Sequence, residues 1–191
     1  MKLPSDFKLT ERARGESIVL RPPKWAEYDA WSQLRRDNEA KLAPWEPEWD
    51  EKYLTRPSYR ARLARFKRLM ADGTGYPFHI FLGSSDHFIG ACHVTGIRRH
   101  VAQSGQIGYW LGDPFTQKGY ARAAVRAVTR FSFETLGLHR IEAAVQATNH
   151  RSVKLLEACG YTREGTAREY LRINGVWQDH EIYARLSSDI A

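Results

Sequence analysis

Two stretches of this chain hold residues whose types and spacing could do chemistry. The first is the turn Gln117-Lys118-Gly119-Tyr120-Ala121, which follows an apolar run at 107–111 and opens a long helical pattern. Glycine there lets the backbone come close to a ligand, Lys118 adds a charge, and the N–H groups of strand, turn and helix start can face an anion. A diphosphate with a long tail fits such a place. By itself the turn is a weak signal, because lysine-glycine turns before helices are common and most bind nothing. The second stretch is the loop Ala43-Pro44-Trp45-Glu46-Pro47-Glu48-Trp49-Asp50, which mixes aromatics, carboxylates and rigid prolines. Two roles are open to it: a hydrophobic plug over the core, or the wall of a substrate pocket in which Trp45 and Glu46 attract a cationic group. His87, His93, His100, His139 and His150 stand at no spacing that demands a metal, and none is expected.

The elements around these stretches follow from periodicity. Residues 17–20 form a first strand, closed by Arg21-Pro22-Pro23, and 24–41 carry Trp25, Tyr28, Trp31 and Leu34 at helical spacing. A second helix spans 56–70 with Tyr59, Leu63, Phe66 and Met70 on one side, and Asp72-Gly73-Thr74-Gly75 ends it. Strands at 76–82 and 88–94 make a hairpin, 107–111 adds a third strand to that meander, and a helix from Ala121 keeps Ala124, Val125, Val128 and Phe131 or Ser132 against the sheet. A strand at 139–145, a helix begun by Asn149, and strands at 170–173 and 177–186 around Asn174-Gly175 complete the order. The class is α/β (α+β): a mixed sheet of about seven strands flanked by helices, with neither a Rossmann fingerprint nor a Walker lysine. Residues 1–15 lack periodicity and read as a loosely held arm before a single domain at 16–188.

Composition narrows the class. A chain of 191 residues can bury a real core, and 29 basic against 22 acidic side chains give a net charge of +7. That balance favours acidic partners such as a polyphosphate, RNA or a ribosomal surface without choosing among them. Arg56, Arg60, Arg62, Arg65, Lys67 and Arg68 concentrate the charge on the second helix, either as a solvated face or as a patch for RNA or a ribosome. Cys92 and Cys159 read as small core residues of a reducing compartment. The opening residues make no signal peptide and no apolar run reaches membrane-spanning length, so a cytoplasmic protein is expected, with no membrane partner.

Specificity comes from the combination of motifs. Gly108-Tyr109-Trp110-Leu111, Gln117 to Ala121, His139-Arg140-Ile141-Glu142, Asn149-His150-Arg151-Ser152 and Gly160-Tyr161 together resemble the GNAT N-acetyltransferases. Leu42 to Pro47, Glu164 to Leu171 and Asn174 to His180 resemble its RimJ/RimL branch, which acetylates the N-terminal amine of ribosomal proteins, and most of all the ribosomal-protein-alanine (RimJ) group. The likeness covers nearly the whole chain. It implies a GNAT fold with a mostly antiparallel twisted sheet, and acetyl-CoA as co-substrate. Coenzyme A would be held by Tyr109, Trp110, Leu111, Gln117, Lys118, Gly119, Tyr120, Ala121, Asn149 and Ser152. Thr116 departs from the family, which often carries Gln or Arg three residues before the turn glycine, and Gln117 is the neighbour that can compensate.

The implied reaction is attack of a neutral amine on the thioester. An α-amine has a pKa near 8 and a lysine near 10.4, so neutralising the lysine costs roughly 3 kcal/mol more. The thioester oxygen needs a donor, which a splayed strand backbone near Tyr109–Leu111 could supply. The sulfur needs a proton, for which Ser152, in the first turn of the helix capped by Asn149, is the candidate, with a plain helix-start serine as its bland alternative. The tyrosine that much of the superfamily uses later on this helix is replaced by Leu155 and Leu156. On the amine side Glu169 and Glu142 lead. Glu142 could face the cleft or be a paired surface charge; Glu169 could face the substrate or be a turn carboxylate bonded to arginine. Three functions follow: a protein N-terminal acetyltransferase acting on alanine of a small-subunit ribosomal protein, a small-molecule amine acetyltransferase, or a ribosome-associated factor without catalysis.

Overall fold

Eight strands share one sheet in this computed structural model, which describes residues 3, 4 and 6–189; Met1, Lys2 and Ser5 of the expected arm lie outside the described residues. The strands are β1 (Leu9–Arg12), β2 (Ser17–Arg21), β3 (Tyr76–Leu82), β4 (Phe88–Arg98), β5 (Ser104–Leu111), β6 (Arg140–Val145), β7 (Thr162–Ile173) and β8 (Val176–Leu186). Their spatial order is β1-β2-β3-β4-β5-β6-β8-β7, and only β5 and β6 run parallel. The helices are α1 (Tyr28–Asp37), α2 (Glu39–Leu42), α3 (Arg56–Asp72), α4 (Tyr120–Arg130) and α5 (His150–Ala158).

The strand beyond the seven expected is β1. Its sequence, LTER, is half polar and only part-buried, so it carries no periodic signal, yet it pairs antiparallel with β2 from Leu9↔Leu20 to Arg12↔Ser17. Phe7, just before it, packs its ring against Phe78 and Phe131. The described part of the 1–15 segment is therefore held by pairing and packing rather than loose.

Helices cover both faces of the sheet. On one face α4 lays Ala124, Val125 and Val128 on the sheet with no exposure, followed by Phe131 and Ser132 in a π-helical turn (Phe131–Thr135). Alanines let that helix come close, and each large apolar side chain buried there is worth about 1.5–3 kcal/mol. On the other face Tyr28 and Trp31 of α1 and Tyr59 of α3 pack with Phe81 and Phe88 in a second, aromatic cluster. The helix expected at 24–41 is broken: Trp25–Glu27 is a 3-10 turn, and Asn38 leaves helical geometry between α1 and α2. Asn38 there bonds with its side chain instead, donating to Leu34 O at 2.7 Å and accepting the Asp113 N–H at 2.7 Å, which ties the helix to the end of β5. Strand β7 starts at Thr162, eight residues before the expected 170; its early residues are exposed and its register is interrupted after Arg163 and Ala167, so no alternation marks them in the sequence.

Candidate active site

The two parallel strands separate. β5 and β6 pair only at Ser104↔Arg140, Gly105↔Ile141 and Gln106↔Glu142, whereas β5 stays on β4 as far as Leu111 and β6 stays on β8 as far as Val145. The Arg140 N–H donates to Gln103 O at 3.2 Å, and the Gly112 N–H donates to Ile89 O of β4 at 3.0 Å. Alternation from these two bonds turns the backbone groups of Ile107, Tyr109 and Leu111 toward the open gap. The gap is a cavity of about 260 Å³ bounded by Gly108, Tyr109 and Trp110 on one strand and by Ala143 to Val145 on the other, with Gln146 just after it. A wider one of about 570 Å³ continues from it past Leu111 and Thr116, and Trp45 and Asn149 line both.

Helices α4 and α5 follow these strands; Thr116 before α4 and Asn149, His150 and Arg151 at the start of α5 line the wider cavity, whereas none of Gln117 to Ala121 lines either. Gly119 caps α4 at φ +85, in the left-handed region where glycine is at ease, and Gln117 takes φ +61 one residue before Lys118. No side chain caps α4 and its first turn holds no carboxylate, so its leading N–H groups are free for an anion. Gln117 and Lys118 are exposed, and Ala121 is half-buried. Tyr120 differs: its side chain is buried and its hydroxyl donates to Glu16 at 3.2 Å, so only its backbone can face a ligand. Thr116 donates its hydroxyl to Asp113 O at 2.9 Å, closing its own turn. An uncapped, glycine-led helix start of this kind can accept an anion on its backbone N–H groups.

At α5, Asn149 caps as expected, its side chain accepting the Ser152 N–H at 3.2 Å. Ser152 lines the smaller cavity, and the Tyr109 hydroxyl reaches its carbonyl oxygen at 3.5 Å. Burial pushes the Tyr109 phenol well up, so that hydroxyl stays protonated as a donor. Ser152, Asn149, Tyr109 and Trp110 thus meet around one space.

Trp45 and Glu46 stand in the cavity wall, but Glu46 is not a free charge. Arg35 holds it in a two-pronged ion pair, with Nη1 to Oε1 at 2.8 Å, and the Trp49 indole donates to Oε2 at 3.0 Å. Arg35 is only 3% exposed and lies against the rings of Trp49, Trp110 and Tyr53. The loop at 43–50 is therefore both plug and wall. It is also a foundation for the β7–β8 hairpin, since the Asn174 N–H donates to Glu46 O at 2.9 Å, and it is tied to the end of β6 by Gln146, which donates to Pro44 O at 3.2 Å.

The two expected amine-side carboxylates are not brought to the cavity lining. Glu142 sits where β5 and β6 still pair, bonded by Arg140 Nε at 2.8 Å and near Arg98. Glu169 is exposed on the β7 irregularity at φ +47, its N–H donated to Asp179 at 2.8 Å. Its neighbour Tyr170 does reach over, accepting from Gln106 of β5 at 3.0 Å and meeting the His180 ring edge-on at 5.9 Å. Residue types alone missed Arg35, His93 and His180, all buried or lining the site. Strict alternation along 176–186 would have placed His180 on the inner face with Ile182 and Ala184. Among the described residues no cluster of His, Cys, Asp and Glu could hold a metal, and no helix is long and apolar enough to cross a membrane.

Comparison with known proteins agrees with this geometry. The family described as Acetyltransferase (GNAT) domain matches residues 17–162. The chain is 34% identical over 176 residues to YjcK of Bacillus subtilis, named a probable N-acetyltransferase, covering 92% of this chain and 97% of that protein. It is 31% identical over 165 residues to the [ribosomal protein uS5]-alanine N-acetyltransferase of Escherichia coli, covering 85% of each. A solved structure of Mycobacterium smegmatis RimJ in complex with CoA-disulfide superposes with a TM-score of 0.93 at 28% identity, covering all (100%) of this chain and 92% of that one.

Proposed function

The chain belongs to the GNAT family of acetyl-CoA-dependent N-acetyltransferases, and we propose that it acetylates the N-terminal α-amine of a protein, with the alanine terminus of a small-subunit ribosomal protein as acceptor. The observation that carries this reading is the likeness along nearly the full chain to an enzyme named for that acceptor. The site is compatible with it. Acetyl-CoA would lie with its diphosphate on Gln117 to Ala121 and its thioester between the splayed ends of β5 and β6.

The N–H groups of Tyr109 and Leu111 face that gap and suit an oxygen gaining negative charge. Ser152, held by the Asn149 cap, gives the departing sulfur its proton. The acceptor enters past Trp45 and the β7–β8 hairpin, where exposed Glu169 attracts an ammonium group before it sheds its proton. An α-amine sheds it at a cost roughly 3 kcal/mol smaller than a lysine does, so a site without a strong carboxylate base selects for it. The test uses a peptide with a free N-terminal alanine and an internal lysine, incubated with acetyl-CoA and mapped by tandem mass spectrometry. Acetyl on the α-nitrogen alone is expected; acetyl on the lysine overturns the reading.

A further inference from the structure

The attacking nitrogen must lose a proton, and three side chains lining the smaller cavity could take one: Glu46, His93 and His180. Glu46 is spoken for. Both its oxygens accept from Arg35 and one also from Trp49, and protonating it would strand a buried guanidinium. His93 is neutral but a feeble base, since burial and then the nearby Arg62 and Arg65 push it down to about 4. His180 differs from both. It is 4% exposed, and its Nδ1 lies 2.9 Å from Gln178 O. A carbonyl only accepts, so Nδ1 carries the hydrogen and the lone pair of the neutral ring sits on Nε2. Among the described residues Nε2 makes no hydrogen bond, and the unpaired polar atoms sealed from solvent are Arg35 Nε, Ser104 Oγ and Arg185 Nε, not this one. An open acceptor nitrogen, oriented by a bond to its opposite side, thus borders the space where the amine must stand.

We infer that His180 is the general base of the acetyl transfer. As the new N–C bond forms and the C–S bond breaks, the proton on nitrogen passes to His180 Nε2 and the sulfur takes one from the Ser152 hydroxyl. The imidazolium then releases its proton to solvent, and Ser152 regains one from it. The titratable groups around His180 are Tyr170 of β7, Asp179 beside it on β8, Glu46 neutralised by Arg35, and His93 of β4. The inference needs acetyl transfer to an amine and not the α-amine preference. It is tested with whichever amine the wild type turns over, so the two can fail separately.

His180→Asn keeps a donor near the Nδ1 position and removes Nε2. Its kcat is expected to fall by about 100-fold or more, with the KM for acetyl-CoA and the melting temperature little changed and the acid limb of the kcat profile gone. Glu169→Gln, in parallel, is expected to lose less than about tenfold and to keep that limb. A His180→Asn enzyme that keeps its kcat, or one whose acid limb survives, overturns the assignment. So does a limb that vanishes in Glu169→Gln instead. Nitrogen-15 NMR of the wild type reads the site without turnover or a variant. A neutral ring protonated on Nδ1 at pH 8 is expected, and one protonated on Nε2 contradicts the proposal.

Discussion

Ser152 and Asn149 work as a unit, because a hydroxyl in the first turn of a helix is only as well placed as the cap that starts the turn. The cap bond from the Ser152 N–H to Asn149 fixes the serine at the cavity, and Tyr109 steadies its carbonyl from β5. Ser152→Ala is expected to lower kcat by about 10²-fold or more while acetyl-CoA binds as before, measured by turnover and by titration of the cofactor. Unchanged kcat would make the serine a cap-region residue and nothing more. His93 allows a prediction of another kind. Its folded value, about 4, lies below the ordinary 6.5, so between those values the unfolded chain holds more protons and stability rises with pH. The stabilisation is complete above about 6.5 and is lost as pH falls toward 4, by on the order of 3 kcal/mol. Melting temperatures of wild type should therefore drop between pH 7 and 5 and drop less in His93→Gln. Equal drops would contradict the neutral, half-buried imidazole. Residue types disclosed the Asn149 cap and the glycine-led start of α4, since helix caps and glycine turns are local. They did not disclose His93 and His180, because the surroundings of each depend on which strands the sheet order makes neighbours.

At the scale of elements, the loop at 43–50 illustrates why composition points to a function without settling its form. Its aromatics and carboxylates marked it as unusual, but the charge that decides its behaviour, Arg35, comes from α1. That arginine neutralises Glu46 inside a cage of Trp49, Tyr53 and Trp110, and the hairpin tip at Asn174 then rests on the Glu46 carbonyl. Arg35→Ala leaves a carboxylate only 21% exposed without its partner and is expected to cost about 3–5 kcal/mol in urea unfolding. A cost below about 1 kcal/mol would mean that the aromatic stack alone holds the loop. The strand and helix periods were legible wherever one face is buried, as in α4 and β3. They were illegible in β1, which is short and half polar, and in early β7, where exposure removes the alternation. Arg56, Arg60 and Arg62 of α3, grouped in sequence as one basic patch, lie over the rings of Tyr28, Trp25 and Trp31. Much of that charge braces α1 against α3.

For the whole molecule, the decisive feature is one that only the folded sheet displays: parallel neighbours that pair for three residues and then part. The sequence contains both strands and both helix starts, but the place where the ladder ends depends on β4 and β8 pulling their partners apart. The motif resemblance supplied what periodicity could not, and the superposition over all (100%) of the chain bears out the fold it implied. The proposed acceptor is a polypeptide terminus rather than a small polyamine. Trp45 lines the gap, and Tyr170 reaches from β7 to Gln106 of β5. The measurement that tests this most directly is the ratio of kcat/KM for a peptide beginning with free alanine to that for spermidine, followed by thiol release from acetyl-CoA. A ratio of about 100 or more is predicted from the lower cost of neutralising the α-amine; a ratio below one would contradict the proposed acceptor and make a small amine the substrate.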